Sequence, residues 1–547
     1  MARFLPLAII LLFGTCFFGT NNLQLFDWDE LNFAEISREM LVTDNWVQPT
    51  VNYLPFHEKP PLFSWMQLLS YKIFGVSPRG ARFPNLVCGI VTFLLLLQLG
   101  KKSFGGNDRR WWPLFLGLSV LPALYAQSGI IDPWFNLFTL AGLWWSLTGA
   151  ALTARQVLLS GLVLGLAVLT KGPAAGLIAG LCWLVLLLVN PAHRGRRAAR
   201  YLAIGLLSLL PIGIWLVFLW QEDGGYFARE FLRYQARLFF REDAGHGGFP
   251  GYHVVVLLLG CFPASWLALP ALFNRRRFSD PTDRGMRVLF WVVLVLFSVV
   301  NTKIVHYSSL CYFPLCWFAA RTLTGGEAHL SPRWRRVVRT GLLSSWILYT
   351  LLLLAVPLLA ITAAYWLPLV DDAEVTARLA MLVTWPWYTF VPGVVGIAGI
   401  VFQTNAALLR TNPASTTAQN QLKNRAATYL LFTGLLTLTT LCTIVPRVQQ
   451  YTQGAPVAFF KELRGRDVYV GTAYYKSYAH WYYADLPPER YADGCRERQC
   501  RFHENISKPL YFASPARVTE QVLREVPDAV LLRQAGGFSF YVREVKR

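Results

Sequence analysis

A pair of adjacent carboxylates and a scatter of isolated cations stand out in a chain that is otherwise mostly apolar. Asp29 and Glu30 sit in the stretch Asp27-Trp28-Asp29-Glu30-Leu31-Asn32-Phe33-Ala34-Glu35-Ile36-Ser37-Arg38-Glu39-Met40, and His57-Glu58-Lys59-Pro60-Pro61-Leu62 follows it. A carboxylate at Asp29 can take a proton from a hydroxyl, or hold and polarise it, with Glu30 orienting the acceptor or supporting Asp29. Lys59, Lys171 and Lys303 each stand beside a proline or a helix break: Lys59-Pro60, Lys171-Gly172-Pro173 and Asn301-Thr302-Lys303. Converging cations suit a phosphate or pyrophosphate leaving group. Arg82, at the entry of an apolar run, can join them, and Glu58 stands next to Lys59. Asp132-Pro133 and His306-Tyr307 can add a carboxylate and hydrogen-bonding rings to the same site.

Each residue also has a plain structural reading. Carboxylates at Asp29, Glu30 and Asp132 suit the first turn of a helix. Lysines at the ends of apolar runs commonly reach for the membrane surface, and His306-Tyr307 fits an interfacial aromatic pair. His57 reads as an ordinary loop residue. For one acid or one lysine such readings suffice. Charges from five distant stretches that fall on one membrane face call for a purpose. Zinc-type ligand spacing is absent; the acidic loop offers oxygen ligands to a divalent cation, without demanding one.

The elements that must position these residues are set by hydropathy. The chain has 547 residues, 54% hydrophobic and 15% charged, with 20 Trp, which is the composition of a membrane protein. A net charge of +20 invites a nucleic-acid reading, but the basic residues lie in short clusters between apolar runs. Runs near 4–20, 82–100, 111–127, 134–150, 156–170, 173–190, 201–220, 252–272, 287–301, 305–322, 338–365, 383–404 and 426–445 are close to bilayer-crossing length, about 17–25 residues. That predicts a mostly α, polytopic membrane protein with thirteen spans, the first an uncleaved one. Basic clusters around Lys101, Arg155, Arg196, Arg276, Arg335 and Arg425 fall on every second loop. The opposite loops hold Asp29, Glu30, Asp132, Glu222, Asp223, Asp371 and Asp372. The positive-inside bias then puts the N-terminus in the cytoplasm, and the loop at 21–81 and the C-terminal residues outside.

Within the loop at 21–81, Asp29 to Met40 reads as a helix with a partly apolar face, and Pro60-Pro61 can begin a second. The second helix presents Leu62, Trp65, Met66, Leu69 and Ile73, a face suited to lying along the membrane surface. The outer loop at 221–251 is polar, ends in Gly245-His246-Gly247-Gly248, and is a candidate mobile lid. After a transmembrane part over 1–445, residues 446–547 turn soluble-like. Strands at Asp467–Thr472, Pro509–Ala513, Ala529–Arg533 and Phe538–Val542, with helices at Lys476–Ala484 and Arg517–Glu525, predict a small periplasmic α/β domain. Seven of the nine cysteines lie in or near spans; Cys495 and Cys500 share an outside loop and are disulfide candidates, with a Cys/His metal site using His503 the weaker reading.

Four motifs together carry a family likeness. The stretch from Asp29 through Met40 with Glu58-Lys59-Pro60-Pro61 resembles the first outer loop of the lipid A 4-amino-4-deoxy-L-arabinose transferases and of the bacterial branch of the protein O-mannosyltransferase family. Asp132-Pro133, Leu169-Thr170-Lys171-Gly172-Pro173 and Lys303-x-x-His306-Tyr307 resemble further motifs of that group, in the same order. Leu31-Asn32-Phe33 stands where the arabinose transferases usually have Thr-Arg-Tyr, and His306 fits the broader family better. The resemblance implies a membrane glycosyltransferase of the C superfamily (GT-C), using a polyprenyl-phosphate-linked sugar at the periplasmic membrane face with inversion. It implies catalysis at Asp29 and a place for Lys59 near donor phosphate or acceptor. The expectation is an enzyme of the bacterial inner membrane that glycosylates an envelope acceptor such as lipid A. Transfer to Ser/Thr of secreted proteins is the alternative, and a lipid or polysaccharide transporter is the rival of another class. Transporters bind near mid-membrane at broken helices in related halves, whereas here the charges sit at one face and no repeat is visible.

Overall fold

The computed structural model describes residues 23–545, apart from 28, 150, 191, 241–247, 275–279, 326–329, 406–415, 489–501 and 503–505. The expected first span at 4–20, the cysteines Cys495 and Cys500, His503 and most of the glycine turn at 245–248 lie outside the described residues.

The chain enters through α1 (Asp29–Thr43), whose first turn carries Asp29 and Glu30, where carboxylates meet the positive end of the helix dipole. A short antiparallel ribbon, β1 (Thr50–Val51) with β2 (Leu54–Pro55), leads to α2 (Leu62–Phe74). Pro61 precedes α2 directly and Gly75, at φ 72°, ends it, the usual asymmetry of helix punctuation. On α2 the expected surface face is open at Leu69 and Ile73, the latter 72% exposed.

The membrane part follows. In α3 (Pro78–Leu99) the Ser77 hydroxyl accepts from the Gly80 amide at 3.2 Å and Pro78 occupies the first turn. Next come α4 (Asp132–Leu147), α5 (Ala154–Lys171), α6 (Ala174–Val189) and α7 (Arg194–Asp223). The Thr153/Gln156 capping box starts α5 and Gly172, at φ 75°, stops it. Then α8 (Tyr226–Phe240), α9 (Pro281–Val299), α10 (Tyr312–Gly325), α11 (Pro332–Ile361), a helix through Val391–Asn405 and α12 (Thr416–Thr443) follow. Among the described residues six helices are long and apolar enough to cross a membrane, and the pair Tyr252–Gly260 and Ala264–Phe273, bent by 116°, makes a seventh. The expected crossing at 173–190 falls on the shorter apolar helix Ala174–Val189. The run at 111–127 is not one helix. It breaks at Ser119, which is extended, into Trp111–Leu118 and Val120–Tyr125; the Val120 amide there bonds the Phe262 carbonyl at 3.1 Å instead of its own helix. The protein is a multi-pass membrane protein.

At the C-terminal end, β3 (Tyr469–Thr472), β4 (Leu510–Pro515), β5 (Ala529–Ala535) and β6 (Phe538–Arg543) form a four-stranded sheet in the order β3-β4-β6-β5. β3 and β4 run parallel; β6 is antiparallel to both β4 and β5. The helices Ala479–Ala484 and Thr519–Glu525 lie within the stretches read as helical from sequence. This layer does not stand alone. Leu31, Ala34, Met40, Phe63 and Tyr71 of the first loop share one apolar cluster with Val457, Phe460, Tyr482 and Phe540.

Candidate active site

The residues at issue come from the ends of four elements. Asp132 opens α4 and Lys171 closes α5, two helices that pack side by side. Their side chains meet in an ion pair, Lys171 Nζ to Asp132 Oδ1 at 2.5 Å. His306 lies on the tight helical turn Val305–Cys311 that precedes α10. That turn is held to α4 by the Asn136 amide donating to Ser309 Oγ at 2.8 Å. The His306 imidazole thereby stands between two carboxylates, its Nε2 3.6 Å from Asp29 Oδ2 and 3.8 Å from Asp132 Oδ2. Asp29, His306, Asp132 and Lys171 thus form a row of alternating charge whenever the imidazole is protonated. Asp132 is 4% exposed and Asp29 47% exposed, so the row runs from the interior to an open carboxylate.

Lys59 is half-buried, and its charge acts on Asp132 together with those of His306 and Lys171. Tyr307 lies on the other side of Lys171, whose ammonium is 5.2 Å from the Tyr307 ring centre and 5.4 Å from that of Phe135. Beneath the row, an apolar cleft lined by Cys88, Phe93, Tyr125, Pro133, Asn136 and Tyr312 opens between the helices.

Three residues expected at the site are turned to other work. Glu30 is 2% exposed and receives the Arg82 guanidinium on both oxygens, at 2.9 and 2.7 Å. It also accepts from the amides of Phe26 at 2.9 Å and Gly129 at 2.5 Å. Arg82 gives its remaining donors to the carbonyls of Leu23 and Gln24, at 3.1 and 3.0 Å. The pair ties the strand of chain before α1 to α3 and to the turn before α4, and so sets where the next residue along, Asp29, stands. Lys303 directs its ammonium at the carbonyls of Phe297, Ser298 and Val300, at 3.2, 2.7 and 2.5 Å. It closes the C-terminus of α9, where orphan carbonyls and the negative end of the dipole favour a cation.

Glu58 contributes its carbonyl, which accepts from Gln235 Nε2 at 2.9 Å. Gln235 belongs to α8, so the first part of the loop at 221–251 is helical. Its apolar face explains this: Phe227 and Phe231 are buried against Trp215, ring centres 5.9 and 5.8 Å apart. His57 anchors the same helix, its ring 4.6 Å from that of Phe227, and burial pushes the imidazole below its usual range. At Gly172 a Cβ would come within 3.3 Å of Gln235 Oε1, so α8 lies over both the Lys59 loop and the end of α5.

Sequence reasoning passed over the support of α1. Arg38 donates to both oxygens of Glu35 at 2.8 and 2.7 Å, to Asp485 Oδ1 at 3.2 Å and to the Leu486 carbonyl at 3.3 Å. Asp27 accepts from the Tyr478 amide at 3.1 Å. The i,i+3 spacing of Glu35 and Arg38 was a visible signal; the partners near residue 480 had none. Among the described residues no group of three or more His, Cys, Asp or Glu gathers as a metal site.

With this geometry in view, comparison with known proteins gives a consistent picture. The dolichyl-phosphate-mannose-protein mannosyltransferase family model matches residues 58–218. The undecaprenyl phosphate-alpha-4-amino-4-deoxy-L-arabinose arabinosyl transferase of Pseudomonas aeruginosa is 28% identical over 306 residues, 54% of this chain and 55% of that protein. Its counterpart numbered 2 in Proteus mirabilis is 26% identical over 324 residues, 56% of this chain and 57% of that one. The chain therefore spans about half the length, 55–57%, of these curated relatives. The crystal structure of ArnT from Cupriavidus metallidurans in the apo state superimposes with a TM-score of 0.73 at 16% identity, over 98% of this chain and 97% of that one. The same protein bound to undecaprenyl phosphate gives 0.72 at 18% identity, over 99% and 97%. The fold is that of these ArnT structures.

Proposed function

We propose that the chain is a glycosyltransferase of the bacterial inner membrane that moves a sugar from a polyprenyl-phosphate donor to an envelope glycolipid such as lipid A. The N-terminus is cytoplasmic and the site and C-terminal layer are periplasmic in this reading, as the alternation of basic loops supports. The relatives' printed names point to a 4-amino-4-deoxy-L-arabinosyl donor. The observation that carries the proposal is the open Asp29 carboxylate at the head of the row His306, Asp132, Lys171.

The chemistry is a single displacement. The acceptor hydroxyl attacks the anomeric carbon, the bond from that carbon to the phosphate oxygen breaks with its electron pair on the phosphate, and Asp29 takes the hydroxyl proton. Inversion follows from attack opposite the leaving group. Lys59 is the cation placed to stabilise the departing phosphate, because Lys171 is committed to Asp132, Lys303 to α9 and Arg82 to Glu30. His306 and Asp132 hold Asp29 in place, and Tyr307 packs on Lys171. The cleft beside Tyr125 and Pro133 offers an apolar path for the lipid tail.

Purified protein in nanodiscs, given labelled undecaprenyl-phosphate aminoarabinose and lipid A, is expected to form labelled lipid A. The variant Asp29→Asn, folded and inserted as the parent, is expected to lose transfer by at least a thousandfold; unchanged turnover would remove Asp29 from the chemistry. The family match over 58–218 favours a second reading, mannosyl-type transfer to protein hydroxyls. Mass spectra of lipid A and of secreted proteins from a deletion strain separate the two by which molecule loses a sugar. Movement of the donor across the bilayer with its sugar–phosphate bond intact would instead support a transporter.

A further inference from the structure

A second cavity lies away from the row, where the C-terminal layer meets the start of α3. It has a volume of about 480 Å³ and is lined by Gln24, Ser77, Lys461, Arg464, Tyr483 and Asp485, among others. Two cations and one carboxylate face it. Arg464 pairs with Asp485 through Nε and Nη2, at 3.1 and 2.8 Å, and is itself largely exposed. Asp485 is also approached by Arg38 at 3.2 Å, so the one carboxylate is shared between two guanidinium groups. Lys461 has no carboxylate in salt-bridge reach among the described residues; its ammonium rests 5.0 Å from the ring centre of Tyr483. Gln24 Oε1, on the same wall, is buried with no hydrogen-bond partner among the described residues. The cavity thus has uncompensated positive charge and a tyrosine wall.

Its surroundings say what else the occupant carries. Val76, Ser77 and Pro78 line the cavity. The residues just before them, Leu69, Ile73 and Phe74 at the end of α2, are exposed apolar side chains, Phe74 at 43%. An anion-binding cavity bordered by an open apolar face suits an amphipathic anion, with its head in the cavity and its chain along α2. We propose that this cavity binds the phosphorylated saccharide headgroup of a membrane lipid, with the phosphate on Lys461 and Arg464 and the sugar against Tyr483.

The proposal rests on the membrane placement given under Proposed function, and stands apart from sugar transfer itself. Burial also holds the Lys461 ammonium below the usual lysine range, a state that an arriving phosphate relieves. None of the cavity's lining residues belongs to the row at Asp29; the Arg82 guanidinium, paired with Glu30, bonds the carbonyls of Leu23 and Gln24 in the cavity wall.

The test uses the full chain in phosphatidylcholine nanodiscs, titrated with bisphosphorylated lipid A, with the same lipid after enzymatic removal of both phosphates, and with inorganic phosphate. Bound lipid is read by native mass spectrometry. Bisphosphorylated lipid A is expected to bind at least tenfold more tightly than the dephosphorylated form, a comparison that needs no variant. Lys461→Ala should erase most of that difference and Lys461→Arg should restore it, with undecaprenyl phosphate binding unchanged in both. Equal binding of the two lipids, or full phosphate preference in Lys461→Ala, overturns the proposal. Occupancy by inorganic phosphate with no gain from the lipid overturns the headgroup as the source. Wild-type protein that shows these binding differences yet transfers no sugar would sink the enzymatic reading and leave the cavity standing. Normal transfer with no phosphate preference does the reverse.

Discussion

Position and commitment separate residues of the same type here. Four cations were candidates for a phosphate: Lys59, Arg82, Lys171 and Lys303. Lys303 and Arg82 have their donors on carbonyls or a carboxylate, and Lys171 is paired with Asp132. Lys59 is left as the one whose charge reaches Asp132 with no ion pair of its own among the described residues. Lys59→Ala is therefore expected to raise the KM for the lipid-linked donor roughly ten- to a hundredfold, the loss of one charge-assisted hydrogen bond of about 1.5–3 kcal/mol. Lys303→Met should leave donor KM within about twofold and instead lower thermal stability, since it uncaps α9. Steady-state kinetics on both variants, with melting curves alongside, checks the division; a large donor KM effect at Lys303 would reverse it.

On the scale of elements, α1 is held by charge on both flanks, and each flank gives a different expectation. The Glu30–Arg82 pair is buried and fully hydrogen-bonded. Removing one partner leaves an uncompensated charge, so Glu30→Ala should destabilise by about 3–5 kcal/mol, with little folded protein recovered in size-exclusion profiles. On the other flank Glu39 is buried next to Glu35, and burial with that like charge pushes its carboxyl well above the ordinary 4.5. Its Oε2 accepts from Thr50 and Tyr53, at 2.7 and 2.9 Å, while Oε1 is buried with no hydrogen-bond partner among the described residues. A carboxyl that holds its proton more tightly when folded adds stability at acid pH and loses it as pH climbs through the folded value. The melting temperature of Glu39→Gln minus that of the parent should therefore grow as pH rises from about 4.5 upward. A difference that is flat or falls with pH would show that Glu39 is ionised in the fold.

For the whole molecule, the first loop and the C-terminal layer are one body. Leu31, Phe63 and Tyr71 share a cluster with Phe460, Tyr482 and Phe540, and Tyr53, Arg38 and Asp27 bond the backbone or side chains of residues 478–486. A chain ending at Pro446 would expose that apolar face of α1 and α2, so it is expected to aggregate or be degraded, and not merely to lose acceptor recognition. Recovery of a monodisperse truncated protein by fluorescence size-exclusion would contradict the shared core. The arrangement also places the cavity at Lys461 beside the apolar cluster that α1, the helix carrying Asp29, shares with the C-terminal layer.

Much of this was legible in the residues themselves. Apolar runs of bilayer length, punctuated by Pro61, Gly75, the Thr153/Gln156 box and Gly172, announced helices because helix and turn preferences are local. Alternation in 467–543 announced the strands of the C-terminal sheet within a few residues. The identities of Asp29, Asp132, Lys171 and His306 were also there, as charges that a membrane face tolerates only for a reason. What the linear order could not carry was the partnership of each charge. Glu30 meets Arg82 across 52 positions, Asn136 meets Ser309 across 173, and Arg38 meets Asp485 across 447. An ion pair depends on where two side chains lie in space, and its strength falls off within a few ångströms. Only the packing of distant helices could therefore decide that the Asp29 carboxylate is left exposed while its neighbour Glu30 is locked in the frame.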